Sequence, residues 1–367
     1  MTIKEIAAKL GLSASTVSRA LNHPEMVAPE TRVRVEAAVR RHRYRPSTIA
    51  RSLRVRNSQT IGLILADITN PFHAELARAV EAIARARGFT VILSNSDEDS
   101  ERERASLETL LSWRVRGLII APCGRNQDLL QESLRTGIPV VQVDRVIEGL
   151  EADAVLVDNR AGARMAVEHL LELGHRRVAH VAGSLHLTTG ARRLEGYRQA
   201  MAAGGMAPDE AMVAVGDFRE EGGYRATLEL FGHSANRNLP TALFVANNEM
   251  AAGAIRALGE LGLSVPEDVS FVCFDDSRWA RLMRPSLTVV AQPVGDMGRT
   301  AAELLLRRIE SGRQQPTTYT LQPSLVKRQS TAMAPPEASL SWGGQDAAEP
   351  PGKRRSTRRS LARPAVT

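Results

Sequence analysis

The chain has 367 residues, with 48 Lys+Arg against 41 Asp+Glu, which is long enough for two or three cores. The net charge of +7 is unevenly placed: residues 1–60 hold 12 basic and 4 acidic side chains, residues 331–367 hold 6 and 3, and the stretch between is acidic by four. No apolar run of membrane-spanning length, no leader-like N-terminus and only two cysteines, Cys123 and Cys273, read as core thiols, argue against a spanning helix, a secretory signal and a disulfide or metal framework, and predict a cytoplasmic protein without a cofactor.

Thr2 followed by Glu5 forms a capping box and predicts a helix to Leu10, with Ile3, Ile6, Ala7 and Leu10 on one face. Gly11 ends it, because glycine alone enters the left-handed region without steric cost. Ser13 can cap a second helix over 14–21, with Val17 and Leu21 inward and Ala14, Ser15, Thr16, Ser18 and Arg19 outward. A third helix is expected from about Pro29 to about His42. This is a helix-turn-helix pattern. Its second helix has short polar side chains and cationic flanks, the requirements for entering a major groove, and the clustered Lys/Arg suits phosphate neutralisation.

The runs Thr2-Ile3-Lys4-Glu5-Ile6-Ala7, Gly11-Leu12-Ser13 and Thr16-Val17-Ser18-Arg19-Ala20-Leu21-Asn22, then Tyr44-Arg45-Pro46-Ser47 and Ala50-Arg51-Ser52-Leu53, resemble the headpiece and hinge of the lactose repressor (LacI/GalR) family. The likeness runs on to Leu325-Val326-Lys327-Arg328-Gln329-Ser330-Thr331. It implies an all-α helix-turn-helix headpiece over 1–44, a hinge helix over 45–59, and an α/β body over 60–331. That body would be two-lobed, like periplasmic binding proteins, with parallel sheets, effector binding and dimerisation. Lobe 1 would take about 60–158 plus 291–319, and lobe 2 about 159–290 plus 320–331. By position, Ala14, Ser15 and Arg19 are implied to read base edges, and Thr16, Ser18, Asn22 and Tyr44 to contact phosphates. Arg19 is chemically the best reader, since its fork can pair with guanine for ~1–3 kcal/mol of discrimination. In the hinge, Leu53 is implied to wedge into the minor groove beside Ala50, Arg51 and Arg54; the residues alone read equally as a charged linker. Ala28 ahead of Pro29 departs from the usual Ser cap.

In the body, short apolar runs alternate with helical stretches. Strands are predicted at 61–66, 90–94, 117–121, 140–143, 178–182, 212–215, 242–246 and 269–274, with helices such as 74–87 and 160–173 between them and crossovers at 286–291 and 313–321. Such alternation means parallel sheets, in which ligands sit beyond the carboxyl ends of strands. The strand-end residues form a polar and aromatic set that suits a polyhydroxylated ligand. Asn248 and Asp276 read better as caps of the next helices. The strand-end positions make Asn70, Phe72 and Asp144 candidate effector contacts, and the family resemblance assigns effector contacts to Arg193, Phe218, Asn247 and Asp275; Arg192, next to Arg193, is expected to face solvent. Phosphate-loop, dinucleotide and nucleophile-elbow motifs are missing, so no enzyme is expected.

Residues 332–367 carry Pro and Gly pairs and a Lys353–Arg359 basic cluster without periodicity, which reads as disorder, either inert or lending non-specific DNA affinity. Leu340 and Leu361 make no heptad, so a homodimer is expected rather than a tetramer. The combined reading is a transcriptional regulator, most simply a repressor. It would bind palindromic double-stranded operator DNA under the control of a sugar or sugar derivative. The alternative is a sugar-binding protein without a DNA role.

Overall fold

The computed structural model describes residues 2–22, 24–42, 59–207, 209–232, 239–312 and 314–336. Tyr44, the hinge residues Ala50, Arg51, Leu53 and Arg54, and the basic tail lie outside the described residues. The head contains α1 (Ile3–Leu10), α2 (Ala14–Asn22) and α3 (Pro29–Arg41). The capping box is complete: Thr2 N–H donates to Glu5 Oε2 at 3.0 Å and Glu5 N–H to Thr2 Oγ1 at 3.3 Å. Gly11 turns the chain at φ 64, and Ser13 Oγ accepts the Thr16 N–H at 3.0 Å to open α2. Ala28 supplies no side-chain cap, and Pro29, whose missing N–H costs nothing at a first helical position, opens α3. Ile6, Ala7, Val17, Ala20 and Val35 close a small core.

The chain divides into two compact units, one comprising residues up to Leu156 with Val294–Thr320, the other Val157–Pro293 with residues from Leu321 on. In the first unit the strands are β1 (Thr60–Leu65), β2 (Thr90–Asn95), β3 (Leu118–Ile120), β4 (Val140–Val143), β5 (Asp153–Val157) and β11 (Thr318–Leu321), in the order β11-β5-β4-β3-β1-β2. β1 to β5 pair in parallel. Helices α4 (Pro71–Ala86), α5 (Ser100–Ser112), α6 (Gln127–Arg135) and α12 (Val294–Ser311) belong to the same unit.

The second unit orders its strands β12-β10-β9-β8-β6-β7. These are β6 (Val178–Ala182), β7 (Val213–Val215), β8 (Ala242–Val245), β9 (Ser270–Phe274), β10 (Thr288–Ala291) and β12 (Ser324–Val326); among the described residues β12 pairs antiparallel with β10 and the other pairings are parallel. Its helices are α7 (Asn159–Glu172), α8 (Thr188–Ala203), α9 (Glu220–Phe231), α10 (Asn248–Glu260) and the short α11 (Arg278–Leu282).

Several boundaries shift from expectation. Met212 lies in a 3-10 turn, Glu210–Met212, ahead of β7. The segment expected only as a crossover at 286–291 contains β10, a full member of the sheet. β5 was not anticipated at all. It begins on a charged residue, Asp153, which stays buried because Arg308 of α12 grips it bidentately at 2.7 Å on both prongs. Pairing of this kind is what lets a charge sit in a core. A partner 155 residues away leaves no local signal.

Candidate DNA-reading helix and effector-binding edges

On the head, α2 carries the candidate readers. Ser15 and Arg19 are exposed, and Thr16 and Ser18 are half-buried. Ala14, expected outside, is half-buried and packs against the head's core. A methyl so close to the turn is drawn inward by the same contacts that bury Val17. The start of α2 holds three hydroxyls in contact: Ser13 Oγ lies 2.7 Å from Ser15 Oγ and 2.8 Å from Thr16 Oγ1. A helix N-terminus with hydroxyl donors favours a phosphate oxygen. Arg19 is the sole cation of α2, and Asn22 is its last residue. Arg34 of α3 donates through Nη2 to Leu10 O at 3.0 Å, which ties α3 to the turn.

At the strand-end edge of the first unit, Asn70 caps α4 by accepting the Phe72 N–H at 3.0 Å. Phe72 is buried and meets the His73 ring edge-on at 5.1 Å. His73 Nδ1 donates to Asp67 O at 3.0 Å, and burial, with Arg145 adding to it against Asp144 and Glu98, holds its pKa below the ordinary histidine value. Its ring is therefore neutral and leaves Nε2 as an acceptor. Asp144 is buried just after β4 at φ 69. Burial pushes the Cys123 thiol up to about 12, so it is an inert core thiol.

In the second unit, Arg193 is 3% exposed. Its Nε donates to Asn159 Oδ1 at 2.7 Å, Nη1 donates to Ala246 O, and the guanidinium lies 3.7 Å from the centre of the Phe274 ring. Arg192 instead pairs with Glu195 at the surface. Phe218, half-buried at φ 67, lies over Gly183, where any Cβ would overlap the ring. Asp275 is buried at φ 75, and its Oδ1 accepts from Gln292 Nε2 at 2.6 Å. Asp144, Phe218 and Asp275 thus share a left-handed backbone that non-glycine residues enter at a cost of ~1–3 kcal/mol, a strain that clusters at functional positions.

Two expectations change here. The cap of α10 is Asn247, not Asn248: its Oδ1 accepts the Met250 N–H at 2.9 Å while its Nδ2 donates to Phe218 O at 2.9 Å. Ser277 caps α11, so Asp276 is free to pair with Arg281 and Arg328, each at 2.8 Å. In both cases the helix registers differ by one residue from the pattern reading. Gln292, just past β10, is a strand-end residue that the crossover assignment concealed.

Residues 2–47 match the model of bacterial regulatory proteins of the lacI family, and residues 167–331 match a periplasmic binding protein-like domain. The chain is 38% identical over 337 residues to the HTH-type transcriptional repressor PurR of Erwinia tasmaniensis, covering 91% of this chain and 98% of that protein. Among solved structures, it is similar to the lac repressor dimer bound to operator and the anti-inducer ONPF, with 30% identity, a TM-score of 0.77 and coverage of 90% and 99%. It is also similar to a transcriptional regulator CelR–cellobiose complex, with 32% identity, a TM-score of 0.68 and the same coverage. The chain belongs to the LacI family of bacterial regulatory proteins: it is a DNA-binding repressor governed by a small-molecule effector.

Proposed function

We propose that this repressor binds a two-fold symmetric operator as a homodimer and that its effector is a carbohydrate held at the strand-end edges. Arg19 and Ser15 read base edges, Thr16, Ser18, Asn22 and Tyr44 hold phosphates, and Ala14 contributes at most a methyl contact. Leu53 with Ala50, Arg51 and Arg54 serves the minor groove. The division into a head over 1–44, a hinge over 45–59, a body over 60–331 and a tail over 332–367 belongs to the same reading.

For the effector, the carrying observation is the second unit's edge. A buried guanidinium (Arg193), a buried carboxylate (Asp275) and an aromatic ring (Phe218) are each held in position by neighbours. Pre-positioned charged groups and an aromatic ring at the strand ends of one unit suit the hydroxyls and the apolar face of a sugar. Asn247 on this edge and Asn70 on the first unit's edge act chiefly by capping helices, while Phe72 and Asp144 supply the first unit's wall and acceptor. The relatives' ligands add support, since one similar structure holds cellobiose. Thermal-shift and calorimetric titration with cellobiose, other neutral sugars and purine bases tests the reading. A sugar should bind the wild type and lose affinity in Arg193→Ala and Asp275→Ala. A response to bases alone would replace carbohydrate with another class.

A further inference from the structure

The first unit's strand-end edge contains a cation that the chain itself has already answered. Arg145 follows Asp144 directly after β4 and is 3% exposed, in the zone where open parallel sheets take ligands. Glu98 grips it with both oxygens: Nη1 donates to Oε2 and Nη2 to Oε1, each at 2.8 Å. Arg145 Nε lies 3.3 Å from Asp144 Oδ2. A two-pronged carboxylate on a guanidinium is the same arrangement that a ligand's carboxylate or phosphate adopts. Glu98 reaches it from the loop after β2, 47 residues away in sequence. Both Asp97 and Glu98 adopt φ 55 there, a backbone that non-glycine residues rarely accept. Two carboxylates against one guanidinium leave this edge with a net negative charge, and the neighbouring His73 ring is neutral.

We propose that Glu98 is a specificity-determining residue, a built-in counter-ion that occupies Arg145 and rejects ligands bearing an anionic group at this edge. The effector accordingly presents an uncharged, donor-rich face to the first unit, as an unphosphorylated sugar does and a sugar phosphate does not. The inference rests on reading these strand ends as the effector's. Inorganic phosphate supplies a probe that needs no knowledge of that effector.

The test is calorimetric and thermal-shift titration of the full chain with sodium phosphate, with ionic strength held constant by chloride. Wild type should show no phosphate-specific effect beyond that of the Glu98→Ala, Arg145→Met double variant, which accounts for anions taken up by the basic head. Glu98→Ala and Glu98→Gln should gain phosphate binding at least about tenfold tighter than wild type, through the Nη1 and Nη2 donors that Glu98 holds in the wild type. The double variant should lose that gain. A folded Glu98→Ala or Glu98→Gln protein that takes up no phosphate overturns the proposal. So does a wild type that binds phosphate more tightly than the double variant, a result obtainable even if the single variants fail to fold. If the carbohydrate reading is wrong, the failure shows separately, as silence towards every neutral sugar while the phosphate arm still reads out.

Discussion

His180 sits in the middle of β6 with its ring stacked between Phe244, at 4.7 Å, and Tyr197, at 5.0 Å. Its Nδ1 donates to Phe244 O at 3.0 Å, and its buried Nε2 has no partner among the described residues. Burial, with Arg193 and Arg198 nearby, lowers its pKa from 6.5 to about 4 despite the Phe244 bond. A base depressed on folding contributes stability that is complete above its unfolded pKa and is lost as pH falls towards the folded value. At pH 5.0, one and a half pKa units below the unfolded value, His180 alone should remove about 2 kcal/mol relative to pH 7.5. The comparison is wild type against His180→Phe. Phenylalanine keeps the stack, cannot titrate, and forfeits the bond to Phe244 O equally at both pH values. Urea unfolding followed by hydrogen exchange in β6 and β8 should show the variant losing about 2 kcal/mol less than wild type between pH 7.5 and 5.0. His73, His169 and His175 are lowered as well, but they remain in both proteins and cancel. An equal loss in both proteins would refute the assignment of this acid sensitivity to His180.

Three further outcomes follow from the same geometry. Arg308→Met leaves the buried Asp153 carboxylate without its guanidinium and should cost about 3–5 kcal/mol; urea midpoints of the two proteins measure it. Ser13→Ala removes the acceptor for the Thr16 N–H and should lower the stability of the head by about 1 kcal/mol, read as the helical unfolding midpoint. Gly183→Ala forces Phe218 off its position, so sugar affinity should fall in calorimetry while operator affinity in a gel-shift assay stays unchanged.

Local rules carried much of the head. The capping box at Thr2 and Glu5, the glycine stop and the Ser13 cap each depend on residues within a few positions of one another, and all appear in the structure. Arg193 is singled out through the family resemblance rather than by any local pattern, and the structure buries it while its neighbour Arg192 pairs with Glu195 at the surface. What escaped depends on distance along the chain. Asp153 hid β5 because its partner is Arg308, and nothing near Glu98 announces Arg145. Asn247 and Ser277 were displaced from the expected caps by one residue, an error inherent in reading helix starts from pattern alone. Ala14 shows a subtler limit: a small residue at a helix start can turn either way, and only the packing of α2 on the head's core decides it.

On the proposed function, α2 of this chain reads DNA for a two-fold assembly. Selection of binding sites from random duplexes by the full-length protein, in parallel with Arg19→Ala, tests it most directly. Wild type should recover an inverted repeat, and the variant should lose discrimination at one base pair per half-site, by ~1–3 kcal/mol. Recovery of no symmetric site, or the same site with undiminished preference from Arg19→Ala, would contradict it.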